Sequence, residues 1–143
     1  MDKQVLSVIQ KVESFGEKRL MFNIPREAGE HLQTLLTIYH PKKILEVGTS
    51  NGYSTLWLAG SCPEALITTI ELKKNKVEMA EENFKKAGLT NIQILQGDAL
   101  EILPKLNESF DFVFLDAIKK DYLSYFNLIS FNKNAIVVAD NIL

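Results

Sequence analysis

The sequence has a single cysteine, Cys62, so neither a disulfide framework nor a cysteine-based zinc site can be built within the chain. It has no apolar run approaching the roughly 18 residues that a bilayer-spanning helix needs. Its first residues, MDKQVLSVIQ, lack the apolar core of a secretory signal. Nor is there an excess of charge of one sign: 16 basic against 18 acidic side chains leave a formal net charge of -2. That balance gives no global pull toward nucleic acid or an anionic membrane, although local lysine pairs leave such contacts open. Internal repeats, low-complexity tracts and linkers are also missing. The expectation is one cytoplasmic domain over residues 1–143. A chain of this length buries about 68% of the surface its unfolded form exposes and needs no structural metal to hold a core.

What is present is a hydrophobic period that switches between two values. Val5, Val8, Ile9, Val12 and Phe15 fall at helical spacing over residues 2–15. Ala28, Leu32, Leu35, Leu36 and Tyr39 do so after Pro25, a residue suited to a helix's first turn, and Pro41 ends the stretch. Short apolar runs then alternate with helical stretches: strands at 44–47, 65–70, 92–95, 110–115 and 135–139, and helices at 53–59, 72–87, 99–106 and 122–129. Gly88 reads as a helix C-cap. Strands without polar alternation, each followed by a helix, predict a parallel sheet covered on both faces. Right-handed crossovers predict a Rossmann-like doubly wound sheet in the order 3-2-1-4-5, two N-terminal helices (1–40) preceding a core from residue 42. In that order the carboxyl ends of strands 1, 4 and 5 lie side by side, and function belongs there.

Three features sit at successive strand ends. Strand 1 runs into Gly48-Thr49-Ser50-Asn51-Gly52-Tyr53-Ser54, a turn whose glycines allow close backbone approach to a ligand at a helix N-terminus. A dinucleotide fingerprint would need glycines at 48, 50 and 53, where Gly48, Ser50 and Tyr53 stand, and no Walker A lysine follows. Strand 2 ends in Glu71, placed to accept ribose hydroxyls from an adenosine-containing ligand, and strand 3 in Gly97-Asp98-Ala99, where Asp98 reaches an adenine amino group. Each alone has a plainer reading: a tight turn, a solvated acid, a helix N-cap. Together they favour a cofactor site.

A second group comprises Asp116 at the end of strand 4 and Asp140-Asn141 at the end of strand 5. Neighbouring strands lie about 4.8 Å apart, so these oxygens converge on one hard cation, Mg²⁺ being favoured. The plainer reading makes Asp116 a turn cap and Asp140 merely polar. Of Lys119 and Lys120, a lysine beside a cation suits a general base, although paired surface lysines are more often only solvated.

These residues resemble the class I S-adenosylmethionine-dependent, cation-dependent O-methyltransferases, the family of catechol and caffeoyl-coenzyme A O-methyltransferases and their bacterial relatives. ILEVGTSNGYSTLWLA looks like the family's cofactor loop, TTIEL its acidic motif, GDALEILP its adenine motif, FLDAIKKDY its metal and catalytic segment, and VVADNIL its last ligand pair. The likeness runs from about Met21 to the last residue. It implies that Gly48, Ser50, Tyr53 and Ser54 hold the methionine part of the cofactor, Glu71 its ribose, and Gly97, Asp98 and Ala99 border the adenine. It also implies Asp116, Asp140 and Asn141 as metal ligands, Asp116 being a ninth cofactor-binding residue as well, Lys119 as base with Lys120 a bystander, Asp116 serving as neighbour to that base, and a lid near Met21 and Asn23. Ile118 departs from plant-type members, which often carry an acid there, so the resemblance implies the metal site without implying their substrate preference.

The implied reaction is methyl transfer to a hydroxyl of a metal-chelating, catechol-like small molecule. The alternatives are a hydroxyuridine in tRNA, met by Lys73, Lys74, Lys76, Lys85 and Lys86 where a solvated helix face is the plainer reading, or a cofactor-binding domain without turnover. Family members continue past the Asp-Asn pair to antiparallel strands absent here. The expectation is therefore a fragment or a homodimer completed through the exposed edge of the last strand, with its metal ligands close to a fraying terminus.

Overall fold

The computed structural model describes residues 1–19 and 23–140. Met21 and Asn141, an expected lid residue and an expected metal ligand, lie outside the described residues. Two helices, α1 (Lys3–Arg19) and α2 (Arg26–Tyr39), precede β1 (Lys43–Val47), α3 (Tyr53–Ser61), β2 (Leu66–Glu71), α4 (Lys74–Lys86) and β3 (Ile92–Gln96). Then follow α5 (Ala99–Ile102) with a 3-10 turn at Leu103–Lys105, β4 (Ser109–Leu115), a 3-10 turn at Lys119–Asp121, α6 (Tyr122–Leu128) and β5 (Ser130–Ala139). All four pairings are parallel and the order is β3-β2-β1-β4-β5, as the crossover rule required.

Period-two alternation divides the core between the two faces. Ile44, Ile67, Phe112 and Phe114 point toward α1–α4 and join Ile9, Leu36, Leu56 and Trp57. Leu45, Val47, Ile70, Val113 and Leu115 point the other way, onto Ala99, Leu103, Tyr125 and Ile129 of the α5–α6 side. None of the described helices is long and apolar enough to cross a membrane.

Of the boundaries that differ from the expectation, four have a physical reason visible in the structure. Helix α4 begins at Lys74 rather than at residue 72, because the Lys73 N–H is taken by the Glu71 carboxylate, and the apolar Leu72 is left exposed. The helix expected over 99–106 is one α-turn followed by a 3-10 turn carrying Pro104, which has no N–H for the α-ladder. Strand β5 starts five residues earlier than its apolar run, at Ser130, and its register slips between Phe110↔Phe131 and Phe112↔Ile136. The slip accommodates Asn134 at φ 65, and the strand is half-buried because, among the described residues, it pairs with β4 alone. At the end of α4, Ala87 is the cap and Gly88 the residue after it: Gly88 N–H donates to Lys85 O and Leu89 N–H to Phe84 O, both at 3.1 Å. This pairing needs the left-handed φ of 69 at Gly88.

Helix α3 is buried from Tyr53 to Ala59 and packs against α2 where Gly29 meets the Trp57 indole. The Arg26 guanidinium covers the same ring at 5.6 Å from its centroid. A methyl group on Gly29 would collide with the indole nitrogen. Gly29→Ala should therefore destabilise the protein by about 1–3 kcal/mol through overpacking, although alanine is the better helix former by about 1 kcal/mol. Urea denaturation reads the sign directly, and a gain in stability would show that the α2–α3 contact is looser than described.

Candidate functional site

The turn after β1 is shaped by backbone conformation before any ligand is considered. Gly48 and Thr49 donate their N–H groups to Ile70 O at 2.9 and 3.2 Å, so the turn is bound to the end of β2. Gly48 has φ 103, and a Cβ there would collide with the carbonyl of Asp116. No other residue fits both the conformation and the contact. Ser50 also has positive φ, at 52. The Asn51 side chain accepts Tyr53 N–H at 3.2 Å, while its carbonyl accepts the Asn83 amide of α4 at 2.9 Å.

Beneath the turn lies Glu46, fully buried in β1. Its Oε2 accepts Ser54 Oγ at 2.5 Å, and its Oε1 accepts Thr55 Oγ1 at 2.5 Å and Thr69 Oγ1 at 2.7 Å. Thr69 Oγ1 continues to Thr49 Oγ1 at 2.6 Å. Burial pushes the Glu46 carboxyl up to about 7 against the pull of its three hydroxyl donors. Sequence reasoning assigned this residue no role. The signal was available: an acid within a five-residue strand whose neighbours are apolar.

Around the carboxyl ends of the strands opens a cleft of about 430 Å³ lined by Gly48, Ser50, Glu71, Gly97, Asp98, Ala99 and Asp116. It thus brings together seven of the nine residues expected at the cofactor. Glu71 Oε1 accepts Ser50 N–H at 2.8 Å and its Oε2 accepts Lys73 N–H at 2.9 Å. Each oxygen keeps lone-pair capacity for a further donor. Asp98 caps α5 by accepting Leu100 N–H at 2.9 Å, so the plainer reading of that residue holds alongside its place in the cleft.

The other two expected cofactor residues are placed elsewhere. Ser54 is turned to Glu46, and the Tyr53 phenol donates to Glu13 Oε1 at 2.8 Å, an atom shared with Arg26 Nη1 at 2.8 Å. Burial raises the Tyr53 hydroxyl to about 12. A roomier cavity of about 740 Å³ lies between α1 and α4, lined by Val8, Val12 and Met79 among others, but it reaches none of the strand-end carboxylates. Chemistry rather than volume therefore selects the smaller cleft.

Asp116 and Asp140 are adjacent. Asp116 N–H donates to Val47 O and Asp140 N–H to Leu115 O, both at 2.9 Å, so the sheet ladder carries both aspartates to the carboxyl end of the sheet. Burial pushes the Asp116 carboxyl up to about 6, the neighbouring Asp140 adds to the rise through charge and a hydrogen bond, and Lys119 opposes it. Lys119 is exposed on the 3-10 turn, as is Lys120. Among the described residues no three acidic, histidine or cysteine side chains cluster as a metal site, so the pair would need further oxygen ligands.

A family profile described as O-methyltransferase matches residues 2–143. The chain belongs to the O-methyltransferase family. It is 39% identical over 123 residues to a catechol O-methyltransferase of Niastella koreensis, covering 80% of this chain and 56% of that protein. To a catechol O-methyltransferase of Mycobacterium tuberculosis it is 32% identical over 125 residues, covering 84% and 57%. Among solved structures, the O-methyltransferase TomG of Streptomyces achromogenes, in complex with SAM, superposes with a TM-score of 0.84 at 32% identity, covering 99% of this chain and 66% of that one. The chain thus spans a little over half the length of these curated relatives.

The buried carboxyl generates a stability prediction for this O-methyltransferase chain. The folded Glu46 pKa, about 7, lies above the ordinary 4.5. Below the lower value both states are protonated. As pH rises the unfolded chain ionises first, so stability falls until the folded group also ionises near 7. The loss attributable to Glu46 is on the order of 3 kcal/mol. Relative to wild type, Glu46→Gln should gain stability between pH 5 and 8, measured by urea denaturation at both values; a constant difference would mean that Glu46 does not titrate in that window.

Proposed function

We propose that the chain carries the donor-binding half of an S-adenosylmethionine-dependent O-methyltransferase that acts on a hydroxyl of a metal-chelating, catechol-like small molecule. The observation that carries this reading is Glu71: a carboxylate held between two backbone N–H groups at the mouth of a cleft sized for one ligand. Glu71 accepts the two ribose hydroxyls, and Asp98 the adenine amino group. Gly48 and Ser50 let the methionine end approach the backbone. TomG's complex with SAM supports the choice of donor, and the names of the catechol O-methyltransferase relatives support the acceptor class.

Asp116 and Asp140 fit a hard cation by the chemistry of their donor set: two oxygen ligands whose mutual repulsion a divalent ion relieves. Asn141 is the proposed third ligand. When bound, Mg²⁺ would lower the pKa of the acceptor hydroxyl and orient two adjacent acceptor oxygens. Lys119 receives the hydroxyl proton at Nζ. The acceptor oxygen then forms its bond to the methyl carbon as the carbon–sulfur bond breaks, and that electron pair returns to sulfur. Holding the two reacting atoms in line contributes several kcal/mol of the barrier.

Calorimetric titration with S-adenosylmethionine should show binding to wild type and at least tenfold weaker binding to Glu71→Ala. No binding by wild type, or unchanged binding by the variant, would remove the cofactor assignment. Lys119→Ala should lower kcat by about 10²–10⁴ with donor affinity unchanged, and chelator should abolish turnover until Mg²⁺ is restored. Full activity in chelator would dismiss the cation.

A further inference from the structure

The proposed cation ligands pose a mechanical problem. Asp116 and Asp140 are like charges drawn together, and the sheet ladder that carries them stops at their own N–H groups. Beyond Asp116 the chain leaves β4, and something else must hold the two strand ends against repulsion. One side chain does so. The Tyr122 hydroxyl accepts Ala117 N–H at 3.2 Å, which fixes the peptide that follows Asp116. The same hydroxyl donates to Leu115 O at 3.1 Å and shares that donation with Asp140 O at 3.3 Å. A single oxygen therefore spans the carbonyl before Asp116, the N–H after it and the carbonyl of Asp140. The ring reaches this position because the 3-10 turn at Lys119–Asp121 folds α6 back beneath the strand ends, where Tyr122 stands 6.2 Å from Tyr125, centroid to centroid.

We propose that Tyr122 is a positioning residue for the cation site, holding the backbones of Asp116 and Asp140 at the separation at which both carboxylates reach one divalent ion. The inference rests on the reading of that pair as cation ligands. Tyr122 does not line the cleft assigned to the donor, so its effect separates from donor binding. Outer partners that orient metal ligands commonly account for 10–100-fold in affinity, and a hydroxyl bonded to three backbone groups belongs at the lower end of that range.

The test is Tyr122→Phe, which removes the hydroxyl and keeps the ring. Mn²⁺ alone is titrated into wild type and variant and followed by electron paramagnetic resonance, and S-adenosylmethionine affinity is measured in parallel by calorimetry. The expected result is about tenfold weaker Mn²⁺ binding with donor affinity within twofold of wild type, the latter also showing that the variant is folded. Equal Mn²⁺ affinity in both proteins would overturn the inference while leaving the cation reading intact. A parallel loss of donor affinity would overturn it too, by making Tyr122 a general prop of the cleft. Absence of Mn²⁺ binding to wild type would instead overturn the cation reading, and the inference with it.

Discussion

Glu46 joins β1, β2 and α3 through a single polar group, and the turn after β1 is built over that junction. Its oxygens collect Ser54 and Thr55 from α3 and Thr69 from β2, and Thr69 passes the chain of hydrogen bonds to Thr49 within the turn. The magnitudes show that this is geometry more than stability. Each hydrogen bond contributes roughly 1 kcal/mol net, somewhat more to a charged acceptor, whereas burying an ionised carboxylate costs several. The displacement of its pKa to about 7 is the visible sign of that cost. What the network secures is the entry angle of α3 and the position of Thr49, hence the path of Gly48 through Gly52.

The turn is tied in the same way to the opposite side of the site. Gly48 is packed directly on the Asp116 carbonyl, so the turn after β1 and the end of β4 are in contact. The parallel order places β1 between β2 and β4, so the residue after β1 touches the ends of both neighbours. Glu71 reaches back across the turn from one side and Asp116 presses on it from the other. The constraint set by Glu46 thus passes outward into both groups of acids.

The sheet and its order were legible because β1, β2 and β4 are largely apolar without polar alternation, and such runs between helices leave a doubly wound sheet, 3-2-1-4-5 being its simplest order, once handedness is applied. The β5 segment from Ser130 to Asn134 was not legible, since an edge strand with a register slip carries polar residues that no apolar period detects. Seven expected cofactor residues were placed at the cleft because motif residues at strand ends are positioned by the sheet itself. Tyr53 and Ser54 were not, because their direction depends on the first turn of α3, where Glu13 and Glu46 claim their hydroxyls. Contacts across 40 residues, such as that of Glu13 with Tyr53, leave no local trace in a sequence. Tyr122 was hidden differently: its bonds run to main-chain groups, and backbone partners have no residue identity to read.

The two acid groups are chemically distinct although both stand at strand ends, and their surroundings decide the difference. Glu71 already receives two N–H groups from the main chain, so its charge is shared before any ligand arrives, and what remains is acceptor capacity for neutral hydroxyls. Among the described residues Asp116 receives no comparable donation. It is buried beside Asp140, and its carboxyl is driven toward protonation. A proton relieves that pair poorly, since it neutralises one charge and leaves one oxygen still facing another carboxylate. A divalent cation neutralises both and uses the same oxygens as ligands. One carboxylate is therefore left with free acceptor capacity and the other with an unrelieved like-charged neighbour, according to the number of main-chain donors within reach.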